Sequence, residues 1–372
     1  MLSWFLAVAL ALSGIGWADS PPVQNEMRGI WVTRWTYTSE VDVRRIMAEV
    51  AAAGFNAVFF QVRGQHDAFY ASKLEPWAAE LSGTLGHDPG WDPLKIAVES
   101  GHAHGLQVHA YINAFPLWRG DTAPVASQPM HAWLEHPDWL VANREGTPMA
   151  LNEHYVFASP GNPRVRERLA SVAQDIAGRY RVDGIHLDYI RYPGAESGFD
   201  VASLADWEAQ GRPDFSTWRR HAVTSSVASV ARAVSVPVSA AVWGVYQNRW
   251  GWADVSEGFN DYFQDASQFT GEGHADALIP MIYWTVRPGE RLDFEVLVKD
   301  HMSRANGRHV YAGVRAHPSW SVAEIEETVR AARRQGAHGI VVFEYSEARR
   351  LFDRLRDGVF AHPARPPAME WR

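Results

Sequence analysis

VDGIHLDYIRYPG, residues 182–194, reads as a buried strand that ends in a cluster of polar side chains. Its first half is rich in valine, isoleucine and leucine, as is typical of a strand that is buried on both faces. Asp188 stands where the apolar run ends, and Arg191 follows three residues later. Two interpretations are open. Either Asp188 pairs with Arg191 at a solvent-exposed strand end, or Asp188 is a catalytic carboxyl group on the rim of a barrel.

Seven more apolar runs of strand length occur along the chain. They span residues 27–33, 55–63, 106–113, 236–243, 277–284, 309–315 and 339–345. Helical patterns alternate with them, over residues 39–53, 92–105, 162–180, 215–234, 264–269, 292–304, 321–335 and 346–357. Apolar strands that alternate with helices indicate a parallel sheet covered by helices.

Eight such strand–helix units predict an α/β fold of the (β/α)8 TIM-barrel class. A doubly wound open sheet is the alternative, but no glycine-rich phosphate loop follows the first strand. Helix start signals support the assignment: Asp92 and Asn162 each precede a proline, and Ser39, Ser321 and Ser346 are placed to cap helices.

The loops are uneven in length. The connections that follow strands two to five span residues 64–91, 114–161, 191–213 and 244–263, whereas the helix-to-strand connections are short. In a TIM barrel all the long connections lie on the C-terminal face, where active sites of this fold are found. Their length therefore predicts one functional face.

Composition excludes several classes of function. With 372 residues the chain is long enough for one large domain, and its net charge of −8 argues against binding to nucleic-acid phosphates. The absence of cysteine excludes disulfides, zinc–thiolate sites and a thiol nucleophile. The 17 tryptophans suit a protein that stacks indole rings on sugars.

The first residues predict export. An apolar run over residues 2–12 is followed by small residues up to Ala18, as in a secretory signal peptide cleaved after Ala18. An uncleaved anchor is the alternative, but the run is short for a membrane span. We therefore expect a signal peptide at 1–18, a barrel at 26–358 and a C-terminal tail at 359–372, in a periplasmic or secreted protein.

Glycoside hydrolysis uses two carboxyl groups that flank the scissile bond. Asp188 is the best candidate for one of them. For the second, the order of preference is Asp265, Glu344 and then Asp67. Each has a purely structural alternative: Asp265 as a helix cap, Glu344 as an ion-pair partner of Arg315, and Asp67 as a turn residue.

The remaining strand tips offer groups that suit a polyhydroxylated ligand. The predicted substrate-binding residues are Arg63, Tyr111, Asn113, Arg191, Tyr283, Trp35, Trp243 and Trp284. No cofactor signature is present, and no metal is expected. The histidines of HAHGLQVH, residues 102–109, fall at the wrong end of the predicted strand for a site on the functional face. His186 is expected to be a positioning or buried polar residue.

Several motifs together resemble the glycosyl hydrolase-like 10 family, a group of exported bacterial barrel proteins. In chain order they are MRGIWVT, FNAVFFQVRGQHDAFY, EPWAAELSGTLGHDPGWDPL, GLQVHAYINAF, FASPGNPRVRE, VDGIHLDYIRYP, YFQDASQF and ALIPMIYW. The resemblance covers about residues 26–350. It implies a TIM barrel and glycosidase activity, with bacterial cell-wall glycan as the substrate.

The resemblance also bears on the site residues. It makes Asp188 the family's strand-four acid and matches Gln264 and Asp265 to a Gln–Asp pair before strand six. The chain departs from the family pattern after Asp188, where the family more often has a second acid, and at Glu344, where an acid is not regular.

The sequence therefore predicts an exported glycoside hydrolase that acts on a bacterial polysaccharide such as the peptidoglycan glycan strand. Two alternatives stay open. A non-catalytic glycan-binding barrel would lack a second carboxyl group near Asp188. A metal-dependent polysaccharide deacetylase would need an aspartate and two histidines on the C-terminal face.

Overall fold

The computed structural model describes residues 24–287 and 289–372. The predicted signal peptide at 1–18 lies outside the described residues. Within the described residues there are ten strands: β1 Met27–Val32, β2 Ala57–Arg63, β3 Gln107–Asn113, β4 Pro116–Gly120, β5 Asn152–Phe157, β6 Gly184–Asp188, β7 Val238–Trp243, β8 Ala277–Met281, β9 His309–Arg315 and β10 Gly339–Phe343.

Eight of these strands form a closed parallel barrel in the order β1-β10-β9-β8-β7-β6-β3-β2. The first and last strands close it, with Met27 paired to Gly339. Every predicted strand is present, and the surrounding helices confirm the (β/α)8 TIM barrel. The barrel strands are almost wholly buried, which explains why they read as continuous apolar runs.

The helices cover the barrel. They are α1 Glu40–Ala52, α2 Ala79–Ser82, α3 Pro93–Ala103, α4 Ala132–Glu135, α5 Pro163–Arg179, α6 Val201–Ala209, α7 Phe215–Ala233, α8 Gly258–Asp261, α9 Ala266–Gly271, α10 Phe294–Arg304, α11 Val322–Arg334, α12 Tyr345–Ala348 and α13 Phe352–Asp357. Short 3-10 turns span Pro137–Trp139 and Arg349–Leu351.

Most predicted helix caps are confirmed. The side chains of Ser39, Asp92 and Asn162 each accept a hydrogen bond from the first turn of their helix, and Ser321 forms a capping box. The cap predicted at Ser346 is wrong. Strand β10 passes directly into α12, so Glu344 is the capping residue.

The long connection after β3 contains an element that the sequence pattern did not predict. Strands β4 and β5 form an antiparallel hairpin in which Pro116 pairs with Phe157. Helix α6, in the connection after β6, was also not predicted. Both elements lie in the connections that build up the C-terminal face.

The barrel interior holds a small apolar cluster that also makes buried polar contacts. The cluster comprises Met27, Trp31, Ala57, Phe59, Tyr111, Ala277, Ile279, Tyr311 and Val341. The Trp31 indole donates a hydrogen bond to His186 Nε2 at 3.0 Å, and His186 Nδ1 lies 2.9 Å from the Ser239 hydroxyl. His186 is therefore a buried polar residue of the core.

The predicted C-terminal tail is packed against the N-terminal end of the barrel. Arg28 donates a hydrogen bond to the His362 carbonyl at 2.7 Å. The Trp371 indole donates to Asp276 Oδ1 at 2.8 Å, and Arg372 pairs with Asp276 Oδ2 at 2.7 Å. Asp276 directly precedes β8, so the tail crosses the end of the barrel opposite to the long loops.

Candidate active site

A cavity of about 730 Å³ opens at the C-terminal end of the barrel. Its walls come from the ends of the strands and from the loops that follow them. The lining residues are Trp31, Thr33, Trp35, Thr36, Gln61, Tyr111, Asn113, Tyr155, Asp188, Tyr189, Arg191, Ala241, Trp243, Gly244, Met281, Tyr283, Trp284, Phe343, Glu344 and Ser346. The volume is in the range of small-ligand sites.

Asp188 ends β6 and is held by two hydrogen bonds. Its Oδ2 accepts from the Tyr111 hydroxyl at 2.8 Å, and its Oδ1 accepts from the Tyr189 backbone N–H at 2.6 Å. Burial raises the pKa of Asp188, while the charge of Arg191 and the two hydrogen bonds oppose that shift. Tyr189 has a φ of +50°, a conformation that is uncommon for a bulky residue and often marks a functional segment.

Glu344 follows β10 and lies in the same cavity. Its Oε1 accepts from the Glu347 backbone N–H at 3.3 Å, whereas its Oε2 is buried and finds no hydrogen-bond partner in the described part of the chain. Burial raises the pKa of Glu344 against backbone hydrogen bonds from Ser346 and Glu347, and the Glu347 charge adds to the rise. Arg315 approaches Glu347 at 3.8 Å, so the ion pair predicted for Glu344 is made by its neighbour instead.

The two carboxyl groups stand on opposite walls of the barrel. In the closed strand order, β6 and β10 are separated by β7, β8 and β9 on one side and by β3, β2 and β1 on the other. Asp188 and Glu344 both line the cavity. A sugar that enters between them would have one carboxyl group on each side.

The structure does not bring Asp265 or Asp67 into this cavity. Asp265 caps α9, where its Oδ1 accepts hydrogen bonds from Gln268 N–H at 3.1 Å and from the Tyr246 hydroxyl at 2.8 Å. Asp67 accepts from the backbone N–H groups of Gly64 and Gln65 at 3.1 and 3.0 Å. Their contacts therefore match the structural alternatives, with Asp265 as a helix cap and Asp67 as a turn residue.

Arg63 lies behind the cavity wall, which differs from its predicted substrate contact. Its guanidinium forms a buried ion pair with Glu75, with Nη2 2.6 Å from Oε1, and donates to the Asn113 carbonyl at 2.6 Å. Through these contacts the N–H groups of the Arg63 guanidinium hold the loop that follows β2. Asn113 does line the cavity, and its Nδ2 donates to the Gly64 carbonyl at 2.9 Å.

The other predicted binding residues meet at the cavity. Tyr111, Arg191, Tyr283, Trp35, Trp243 and Trp284 are all among its lining residues. Trp35 is 54% exposed, and the Arg34 guanidinium lies 4.3 Å from its ring centroid. The sequence reasoning missed Tyr155 and Tyr189. Tyr155 comes from the unpredicted β4–β5 hairpin, and Tyr189 stood next to Asp188 in the opening motif.

The histidine cluster lies apart from the cavity. His102 bonds to Asp183 at 2.8 Å, and the His109 ring stacks against Phe59 with centroids 4.8 Å apart. Over residues 24–287 and 289–372, no group of three or more His, Asp or Glu side chains is arranged to hold a metal ion.

Known proteins resemble this chain in sequence. The family model for glycosyl hydrolase-like 10 matches residues 26–326. Glycosyl hydrolase YngK of Bacillus subtilis is 25% identical over 93% of this chain and 74% of its own length. Glycosyl hydrolase DigH of Escherichia coli is 26% identical over 69% of this chain and 65% of its own length. The chain thus spans just under two thirds of DigH.

Solved structures share the fold. The glycoside hydrolase domain of PgaB (BpsB) from Bordetella bronchiseptica superimposes with a TM-score of 0.64 at 13% identity, covering 90% of this chain and 98% of that domain. Alpha-L-fucosidase isoenzyme 2 from Paenibacillus thiaminolyticus gives a TM-score of 0.60 at 15% identity, over 90% and 49% of the two chains. Among the described helices, none is both long and apolar enough to cross a membrane.

The glycosyl hydrolase-like 10 model matches most of the length of this chain. The chain therefore belongs to that family and is of the glycoside hydrolase type.

Proposed function

We propose that this protein is an exported glycoside hydrolase that cleaves a bacterial polysaccharide, the peptidoglycan glycan strand, with Asp188 and Glu344 as its two catalytic carboxyl groups. One observation carries the proposal. The described cavity is lined by two carboxyl groups, and they come from opposite walls of the barrel. Glycosidases need a carboxyl group on each side of the scissile bond.

The surroundings of the two groups suggest their roles. Burial raises the pKa of both carboxyl groups, and at Asp188 the charge of Arg191 and two hydrogen bonds oppose that rise in favour of the ionised form. At Glu344 hydrogen bonds from Ser346 and Glu347 also oppose the rise, but the charge of Glu347 adds to it, and Oε2 is buried without a hydrogen-bond partner among the described residues, which favours the protonated form. Glu344 is accordingly the general acid, and Asp188 is the base or nucleophile.

The substrate class is supported by the walls of the cavity and by the N-terminal sequence. Trp35, Trp243 and Trp284 offer aromatic faces for the apolar sides of sugar rings. The predicted signal peptide would deliver the protein to the compartment that holds cell-wall glycan. The two similar glycosyl hydrolases named above are both bacterial.

Two other functions fit the structure less well. A non-catalytic glycan-binding barrel would have no need for the second carboxyl group in the cavity. A metal-dependent deacetylase would need histidines there, and the cavity lining contains none among the described residues.

Digestion of peptidoglycan tests the proposal. Intact glycan and glycan stripped of its stem peptides are incubated with the mature chain and with Asp188→Asn, and released sugars are identified by mass spectrometry. We expect oligosaccharides from the wild type and none from the variant, whose fold is checked by circular dichroism. Co-sedimentation of the wild type with the glycan, without any product, would instead identify a binding protein.

A further inference from the structure

Arg191, which is half-buried, differs from the buried Arg28 and Arg63 because it has no ion-pair partner among the described residues. Arg28 pairs with Glu26 at 2.8 Å, and Arg63 pairs with Glu75 at 2.6 Å. Arg191 lines the cavity, yet it forms no ion pair with any carboxyl group in the described part of the chain, including Asp188. The charge of Asp188 interacts with Arg191 but forms no direct ion pair with it, so the guanidinium can still take an anion by direct hydrogen bonds.

Aromatic rings hold this guanidinium in place. Its central carbon lies 4.5 Å from the ring centroid of Tyr189, 5.4 Å from that of Trp243 and 5.6 Å from that of Tyr262. Stacking engages the faces of a guanidinium and leaves the N–H groups on its edge available. Arg191 Nη1 is buried, and no hydrogen-bond partner for it is found among the described residues.

The position of Arg191 connects it with the reaction centre. It follows Asp188 by three residues, and its charge lowers the pKa of that carboxyl group. Tyr189 and Trp243, two of the rings that stack on it, also line the cavity. A sugar lying against these aromatic residues would present its substituents to the guanidinium.

We propose that Arg191 binds a carboxylate carried by the substrate, so that the enzyme prefers a glycan built with an acidic sugar over the matching neutral glycan. The inference rests on the proposed function and adds the charge of the substrate to it. A planar guanidinium with free edge donors matches a carboxylate with two hydrogen bonds, whereas hydroxyl and N-acetyl groups do not require a positive charge. The ionised Asp188 would otherwise repel an anionic glycan.

The test compares one glycan in two charge states. Stem-free peptidoglycan glycan fragments are used as isolated and after carbodiimide activation and borohydride reduction, which convert their carboxylates to alcohols. Affinity is measured by calorimetry with the full mature chain carrying Asp188→Asn, and cleavage is measured with the wild type. We expect the reduced glycan to bind about ten- to a hundredfold more weakly, the usual effect of losing a charged hydrogen-bonded pair.

Variants of Arg191 assign the preference to this residue. In the Asp188→Asn background, Arg191→Gln should bind both glycans with the weaker affinity, and Arg191→Lys should keep part of the preference. Arg44→Gln removes the same charge from the exposed face of α1, where Arg44 pairs with Glu40, and should leave the preference unchanged.

Each outcome separates this inference from the proposed function. Equal affinity of the Asp188→Asn chain for both glycans would overturn the role of Arg191, and so would a preference that persists in Arg191→Gln. Neither result would affect the proposed hydrolase function. A preference for the acidic glycan without any cleavage by the wild type would overturn the hydrolase and retain the carboxylate site. Binding of neither glycan would overturn both.

Discussion

The Tyr111 hydroxyl donates a hydrogen bond to Asp188 Oδ2 across two neighbouring barrel strands, at 2.8 Å. Tyr111 is on β3 and Asp188 ends β6, and the two strands pair in parallel with Asn113 opposite Asp188. The bond therefore depends on the register of the sheet. It fixes the carboxyl group and favours its ionised form, which is the form that a base or nucleophile needs.

Removal of this hydrogen bond should change the pH dependence of the reaction. The bond lowers the pKa of Asp188, so Tyr111→Phe raises that pKa. Because activity requires ionised Asp188, it is lost as the pH falls through this pKa, and the acidic limb of kcat should move to higher pH. The rate at the optimum should fall about tenfold. Tyr311→Phe, at the other end of the barrel interior, is the control. An unmoved acidic limb in Tyr111→Phe would contradict the role of Asp188 as base.

The catalytic carboxyl groups should destabilise the fold at neutral pH. Burial raises the pKa of Asp188 and of Glu344, so the folded protein favours their protonated forms and stability is lost as the pH rises through those values. Asp188→Asn and Glu344→Gln should each raise Tm at pH 7 by about 2 °C, and by less at pH 4. Thermal unfolding followed by circular dichroism measures this. A lower Tm for both variants would show that the carboxylates are structural.

The Asp276 carboxyl group should stabilise the fold at neutral pH, in contrast to Asp188 and Glu344. Burial alone would raise its pKa, but hydrogen bonds from Arg372, Val238 N–H and Trp371 outweigh burial and lower it. Asp276 therefore stabilises the fold above its unfolded pKa, and this contribution is lost as the pH falls through the lower folded value. We expect Asp276→Asn to lower Tm at pH 7, with a smaller effect near pH 3. Trp371→Phe keeps an aromatic side chain but loses the indole N–H donor, and it should lower Tm less. No change in either variant would mean that the C-terminal segment does not brace the barrel.

The buried pair of Arg63 and Glu75 should matter for stability and not for substrate affinity. Glu75→Gln leaves a buried guanidinium without its counter-ion, which costs about 3 kcal/mol in the free energy of unfolding. Glu40→Gln breaks an exposed pair with Arg44 on α1 and should cost less than about 0.5 kcal/mol. Urea unfolding gives both values. A raised KM with unchanged stability in Glu75→Gln would return Arg63 to the substrate-binding residues.

The barrel could be predicted because each of its strands and helices has a pattern that is visible in a short stretch of sequence. Each one is an apolar run between a short connection and a long one, and helix starts such as Asp92 and Asn162 carry their own capping chemistry. The hairpin β4–β5 was not predicted because its strands pair across a long connection that also holds α4 and a 3-10 turn, and no local sequence pattern reveals such pairing. With it, Tyr155 was missed as a cavity residue.

The site could be predicted only as far as strand ends determine it. Tyr111, Asn113 and Asp188 stand at the ends of strands, and the fold carries them to one cavity. Arg63 also stands at a strand end, but Glu75, twelve residues further on, draws its side chain away from the cavity. The sequence favours Asp265 over Glu344, yet Asp265 precedes a short helix and its side chain accepts a hydrogen bond from the Gln268 N–H of the first turn. Contacts between loops decide whether a polar side chain reaches the cavity, and these contacts cannot be recognised from single residues in the sequence.

The most direct test of the proposed carboxyl pair compares three variants on one substrate. Release of reducing ends from stem-free peptidoglycan glycan is followed for the wild type, Asp188→Asn, Glu344→Gln and Asp265→Asn, each shown to be folded by its thermal transition. We predict that the first two variants lose activity by about a thousandfold, as removal of a catalytic acid or base does. Asp265→Asn should stay within about tenfold of the wild type, since its carboxyl group caps α9. Full activity of Glu344→Gln together with loss of activity in Asp265→Asn would contradict the assignment.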